Sequence, residues 1–228
     1  MTDYVRYELK DGIANLTMDD GKANAFGPSM SEAINAALDR ASAEAKAVLI
    51  SGKPGLLSGG FDLKIINDGT PDERAAMLRA GAELMIRLYL HPQPLIIANT
   101  GHAVALGAIM LFTADYRIAA AGDFKIGMNE TAIGLSLPTF AIELARDRLD
   151  GRQLTQATAG ATLYSPEAAT TVGYHDEVVS ADDLTARAQE KAVEMATLSP
   201  AGFAEVKSRL RLNIANKIRS SFAAEFAT

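Results

Sequence analysis

Glu130 stands in the run IGMNETAIGLSLP (126–138), directly after a strand-like segment, and no Lys or Arg occurs between Lys125 and Arg146. A carboxylate among uncharged neighbours has two chemical fates. It is paired with a cation brought from elsewhere in the fold, or it works as an acid or base, because desolvation raises its pKa toward the pH at which it shuttles protons. A solvated loop glutamate is the plain alternative, and spacing leaves it open. Two turns offer complementary chemistry: Ser58-Gly59-Gly60-Phe61-Asp62 and Ala105-Leu106-Gly107-Ala108. Each is expected between a strand and a helix, where free peptide N–H groups point outward and stabilise negative charge on a ligand oxygen. Gly59 and Gly60 remove side chains that would block the approach, although most Gly-Gly pairs are simply turns.

The elements that must position these residues follow from periodicity. YVRYEL (4–9) and IANLTM (13–18) alternate as strands do, with Asp11-Gly12 as a hairpin signal between them. MSEAINAALDRASAE (30–44) has helical spacing, with Ser29 or Ser31 available as a cap. AVLISG (47–52) reads as a buried strand and KPGLLSGGFDLKII as a Gly-rich loop leading into a helix. A helix of about twenty residues ending before Pro92 is followed by the strand LIIAN (95–99), a turn at Thr100-Gly101-His102, the apolar segment 103–114 and the strand YRIAA (116–120). Met77, Leu78, Leu84, Met85 and Leu88 mark the apolar face of the long helix. This strand, turn and helix repetition is an α/β pattern. From about Asp147 the chain reads as mainly helical, over 150–159, 165–172, 181–197 and 200–218, the last being rich in Lys and Arg and appended to the sheet rather than extending it. The division expected is a core of residues 1–178 and a helical region 179–228.

Composition excludes several classes. A net charge of −6 argues against non-specific nucleic-acid binding, which needs basic surface to displace counterions. The chain has no Cys, hence no disulfide, thiolate nucleophile or cysteine metal site, and its three His residues (His91, His102, His175) are too scattered for a zinc site, so no metal is expected. AVALGAIMLF (103–112) is too short to span a bilayer, and MTDYVRYELKDG carries acids without an apolar signal core. A cytoplasmic protein with no membrane partner is the expectation.

LLSGGFDLK (56–64), GHAVALGAIMLFTADYRIAA (101–120) and IGMNETAIGLSLP, in this order and spacing, resemble the crotonase superfamily, the enoyl-CoA hydratase/isomerase family. NLTMDDGKANAFG (15–27) and SPEAATTVGYHDEVV (165–179) extend the likeness over nearly the whole chain. The resemblance implies an α/β spiral of ββα units with a helical carboxyl-terminal region, assembled as a homotrimer or dimer of trimers. It implies an acyl-CoA thioester substrate, with CoA as part of the substrate and no separate cofactor. It places two oxyanion-hole donors on the peptide N–H groups of Phe61 and Leu106, with Gly107 as the substitute for Leu106, and aligns Glu130 with a family acid/base glutamate. Lys22, Ala23 and Asn24 match a loop along the nucleotide, and Asp62 and Leu63 match a loop near the adenine. Gly59, Gly60, Gly107 and Ile109 border the substrate, and Lys207 is a candidate phosphate contact, against the simpler reading of a solvated surface charge. Independently of the family, removing an α proton from a thioester builds charge on its oxygen, and each preorganised N–H contributes on the order of 3 kcal/mol to the transition state.

The departure is at Ile109, where the family's hydratases carry a second glutamate that helps hold water. With Ile109, one glutamate and the triplet Asn129-Glu130-Thr131, the chain is most similar in motif to mitochondrial-type 3,2-enoyl-CoA isomerases. The expected reaction is a 3-enoyl-CoA to 2-trans-enoyl-CoA shift by single-glutamate proton transfer. The alternatives are an enoyl-CoA hydratase, with Glu143 as a substitute acid, or a catalytically silent acyl-CoA binding protein suggested by the short carboxyl terminus and the departures around Leu106. Glu143, in FAIELARD, otherwise reads as a helix-surface acid, and His102 as a structural histidine.

Overall fold

The computed structural model describes residues 4–226. Strands β1 (Val5–Lys10) and β2 (Ile13–Met18) form an antiparallel hairpin whose turn residues Asp11 and Gly12 both take positive φ, 53° and 76°. That pair of left-handed residues is what a right-twisting two-residue hairpin needs. Helix α1 (Pro28–Glu44) starts on Gly27 with Pro28 preset at the first turn, so neither Ser29 nor Ser31 caps it. Three β-β-helix units follow. They are β3 (Ala47–Ser51), β4 (Gly55–Ser58), α2 (Leu63–Asp68) and α3 (Pro71–Tyr89); β5 (Leu95–Asn99), β6 (Gly101–Val104) and α4 (Leu106–Leu111); and β7 (Tyr116–Ala120), β8 (Ile126–Gly127) and α5 (Thr139–Arg148). After α6 (Leu154–Ala157), α7 (Pro166–Val172) and β9 (Glu177–Val179) come α8 (Leu184–Met195) and α9 (Pro200–Glu225).

The first strand of each unit enters a six-stranded sheet of order β1-β2-β3-β5-β7-β9, and the second enters a three-stranded sheet of order β4-β6-β8. Apart from the β1/β2 hairpin, these strands pair with one another in parallel. This alternation is the expected spiral. Between the layers lies the main core, with Leu16, Ile50, Leu84, Leu88, Leu95, Phe112 and Phe140 all buried. A smaller cluster on the other face of the six-stranded sheet packs Leu49, Ile96 and Ile118 against Leu184, Ala188 and Ala192 of α8.

Several local expectations are corrected. Residues 55–58, expected in a loop, are β4, and Gly101 and His102, expected in a turn, begin β6. A Cβ on Gly101 would stand 1.9 Å from the Gly55 backbone, so glycine here serves close strand approach rather than a bend. The helix expected over 150–159 shrinks to α6, because Gly151, Thr158 and Gly160 border it, while helix forms earlier, after Pro138, as α5. Strand β9, part of the expected 165–179 segment but read there as no strand, extends the sheet across the 178/179 division, and α8 covers that same sheet.

The last helix is held by buried charge. Asp115 accepts from Lys207 Nζ at 2.6 Å and pairs with Arg211 at 2.8 Å, all three side chains being at most 8% exposed. Arg211 also donates to the carbonyls of Tyr89 and Thr113, and Lys207 to that of Gln93. Each cation finds several oxygens, which is the condition for tolerating buried ions.

Candidate active site

Three parallel strands bring the chemistry together. In the small sheet, Ser58 is in register with Ala103 and Ala103 with Ile126, so the turns after β4, β6 and β8 leave from one edge. These turns hold residues 59–61, 105–107 and 128–130. The carboxyl ends of parallel strands are where α/β folds commonly place ligands. Ala105 N–H donates to the Gly127 carbonyl at 3.0 Å, tying the second turn to the third. A Cβ on Gly60 would stand 3.3 Å from Leu106 N and 2.7 Å from Ala105 Cβ, so the first and second turns touch.

Some amides of these turns are consumed internally: Gly59 N–H donates to the Ala23 carbonyl and Gly60 N–H to Ser58 Oγ. Among the described residues, the N–H groups of Phe61, Leu106 and Gly107 have no protein acceptor. Two adjacent turns thus present peptide donors free for an anionic oxygen. Ala105, just before the second, takes φ 53° and ψ −125°, a conformation foreign to an L-residue. Strain at such a position costs about 1–3 kcal/mol and is tolerated where surrounding contacts dictate the backbone. The Phe61 ring lies over Gly81 of α3, where a Cβ would stand 2.5 Å from the ring, and Leu106 is fully buried, so both side chains pack inward.

A polar brace holds the first turn, and sequence reading missed two of its members, Asp20 and Ser58. Ser58 Oγ donates to the Asn24 carbonyl at 2.7 Å while accepting from Gly60 N–H. Asn24, at φ 49°, donates to the carbonyls of Met18 and Leu57 and accepts from Asp20 N–H. Burial would raise the Asp20 carboxyl pKa, but the backbone amides of Asn24, Lys22 and Ala25, with Lys53 nearby, carry it below the usual range. The only sequence signal was DDGKAN, an Asx-type turn. Asn24, expected as a ligand contact, is 0% exposed with its amide fully engaged, so its side chain is a brace instead. Lys22 and Ala23 are exposed beside Gly59. Asp62 caps α2 by accepting from Lys64 N–H, and Leu63 is 60% exposed.

Glu130 opens a single 3-10 turn (Thr131–Ile133), closed by Ile133 and Leu135 N–H groups donating to its carbonyl. Its side chain turns inward. Burial raises its pKa, against the opposing pull of its own amide and that of Asn129. Oε2 is buried without a hydrogen-bond partner, and no ion pair involves Glu130 among the described residues. Neither a solvated loop acid nor a cation-paired one matches this environment. Ile109 is 1% exposed inside the core, on a helix that packs against β8.

Two expectations fail on burial. Lys207 is not a phosphate contact of its own subunit: it is 4% exposed, its ammonium donates to Asp115 and to the Gln93 carbonyl, and burial lowers its pKa to about 8. Glu143 is neither a surface acid nor a spare catalytic one. It is buried at the α5/α9 contact, paired with Lys217 at 2.8 Å and Arg146 at 3.4 Å. His102 accepts from Lys125 N–H through Nδ1 and stacks edgewise on Phe124, a structural role. Among the described residues there is no cluster of three metal-ligating side chains, and no helix is long and apolar enough to cross a membrane.

The spiral with its three converging turns defines a class of fold and site, and comparison with known proteins gives that class its family. Residues 8–227 match the family described as Enoyl-CoA hydratase/isomerase, and the chain belongs to it. Rattus norvegicus mitochondrial enoyl-CoA delta isomerase 1 is 32% identical over 172 residues, covering 75% of this chain and 60% of the rat protein. The chain thus spans about half to 60% of the length of the mammalian isomerases it matches. A probable enoyl-CoA hydratase of Rhodobacter capsulatus is 29% identical, covering 97% of this chain and 86% of its own. The ligand-free structure of a Mycobacterium tuberculosis enoyl-CoA isomerase is 41% identical and superposes with a TM-score of 0.93, covering 99% of this chain and 100% of its own.

Proposed function

We propose that this chain is an enoyl-CoA isomerase that converts a 3-enoyl-CoA to the 2-trans-enoyl-CoA. The observation that carries the reading is a single desolvated carboxylate, Glu130, beside two turns with unengaged N–H groups, while an isoleucine occupies the place of a second acid. Glu130 removes the α proton. The C–H electrons form a double bond between the carbonyl carbon and the α carbon as the carbonyl π pair moves onto the thioester oxygen, which accepts from the Phe61 and Leu106 N–H groups. When the enolate collapses, the carbonyl re-forms, that pair becomes the α,β double bond, and the original β,γ double bond supplies its electrons to the γ carbon, which takes the proton back from Glu130. Atoms and charge balance with one base and no added water. The raised Glu130 pKa suits both halves, because a carboxyl poised nearer neutrality accepts and returns a proton with similar ease.

Pairing of Glu143 with Lys217 and Arg146 supports a one-glutamate mechanism by removing the spare acid. The exposed apolar side chains of α9, Val206 at 58% and Leu210 at 71%, support an assembly face for the homotrimer or dimer of trimers. A one-glutamate hydratase is the second reading, favoured by the name of the Rhodobacter relative. Purified protein is given 3-enoyl-CoA and 2-trans-enoyl-CoA separately. Rapid hydration of the latter with the former unchanged overturns the isomerase reading. A silent acyl-CoA binder is recognised by the absence of Glu130-dependent deuterium exchange at the α carbon.

A further inference from the structure

We infer that Arg148 is a positioning residue for the oxyanion turn, acting through α4: its guanidinium holds the carboxyl end of the helix whose amino end presents the Leu106 N–H. The inference rests on the oxyanion role proposed above for that N–H. Helix α4 has six residues, a length of about 9 Å, and all of them from Leu106 to Leu111 are buried. Its two poles thus lie close together in an interior that salt screens poorly, and a charge placed at one is felt at the other. At the amino end, Ala105 is held at φ 53° and a Cβ on Gly107 would stand 2.4 Å from the Ser58 carbonyl oxygen, so the helix start is wedged against the first turn.

At the carboxyl end the carbonyls of Ile109, Met110 and Leu111 accept from the N–H groups of Phe112, Thr113 and Ala114 at 3.0, 3.0 and 3.3 Å. The Phe112 carbonyl is left over, and Arg148 Nε donates to it at 3.0 Å. Arg148 also donates to the Ala114 carbonyl, while Arg211 donates to those of Thr113 at 3.0 Å and Ala114 at 3.2 Å. Arg148 closes α5 and Arg211 comes from α9, so two distant helices grip one turn. The charges there do not cancel. Lys207 and Arg211 share the single carboxylate of Asp115, and Arg148 has no ion pair among the described residues. Asp147, the acid whose charge reaches Arg148, accepts from the Tyr89 hydroxyl at 2.6 Å. Burial, then the like charges of Arg211 and Arg117, push the Arg148 pKa down to about 10, so it stays charged at neutral pH. A neutral donor would satisfy a leftover carbonyl at lower desolvation cost. The surplus charge instead offsets the negative pole of α4, leaving the positive pole at Leu106 less opposed toward an enolate oxygen.

Arg148→Gln retains a donor and discards the charge. Equilibrium titration of the full chain compares two probes: 3-oxohexanoyl-CoA, followed by the absorbance of its enolate, and hexanoyl-CoA, which stays neutral. The variant is expected to bind the enolate about tenfold more weakly, the size of a favourable charge–helix interaction, with hexanoyl-CoA affinity held within about twofold. Isomerase kcat should fall by the same factor with KM nearly unchanged. Equal weakening of both probes marks a merely structural role and overturns the inference, as does an unchanged enolate affinity. Arg148→Lys keeps the charge and gives up the fork, so its preference for the enolate should stay within about threefold of the parent. A tenfold loss there overturns the proposal even where the glutamine variant fails to fold. A parent that binds the enolate no better than hexanoyl-CoA refutes the oxyanion turn itself, whereas a parent preference that Arg148→Gln leaves intact refutes only the part of Arg148 in it.

Discussion

Replacing Glu130 by glutamine should disable the enzyme and stabilise the protein at once. The carboxyl is held above its ordinary range by burial, with Oε2 unpartnered and no cation paired to it among the described residues. Glutamine keeps the shape and discards the charge. Glutamine is as polar in the same place, so what is removed is the cost of burying the charge; we take a gain of about 1 kcal/mol at pH 8, a rise in Tm of about 2–4 °C for a chain of this size. The pH dependence has a definite sign. A carboxyl whose folded pKa exceeds its unfolded one favours folding fully only below the unfolded value of about 4.3, and that contribution is lost as pH rises through the folded value. Melting curves of the two proteins should therefore nearly coincide at about pH 4 and separate toward pH 8, the variant being the more stable. Loss of a general base should lower kcat by about 100- to 10,000-fold, or about 3–5 kcal/mol of barrier. Thermal denaturation across pH and isomerase kinetics measure both effects. A variant less stable at pH 8, a stability difference that ignores pH, or a rate within tenfold of the parent refutes the reasoning.

Other perturbations follow from the same geometry. Gly60→Ala forces a methyl to 2.7 Å from Ala105 Cβ at φ 101°, so we expect at least tenfold lower kcat/KM and a lower Tm; unchanged kinetics would show that the two turns tolerate separation. Ala105→Gly should relieve the strain at φ 53° and raise stability by about 1 kcal/mol in urea titration, activity staying within about threefold. Asp115→Ala strands Lys207 and Arg211 in the interior and should cost about 3–5 kcal/mol, with amide exchange in α9 accelerating first. Asn24→Ala removes the two carbonyl contacts and puts alanine at φ 49°, so we expect about 2–4 kcal/mol lost by denaturant titration and weaker catalysis through a loosened Phe61 turn.

What the sequence determined by itself was local and repetitive. Strand periodicity located β2, β5 and β7, the Asp11-Gly12 pair located the hairpin, and the apolar stripe located α3, because these depend on near-neighbour patterns. Motif order also identified the spiral, the family and the turns at 59–61 and 105–107. It could not reveal β4, β6 and β9 as strands, since three or four residues carry too little periodicity and Gly101 looks like a bend until Gly55 lies against it. Tertiary structure alone decided the fate of each charge. Lys207, Glu143 and Glu130 are all ionisable residues in helical or loop sequence, yet two meet opposite charges from distant segments and the third meets none among the described residues. Electrostatic environment depends on what arrives from elsewhere in the fold, and burial without a partner is invisible in a list of neighbours along the chain.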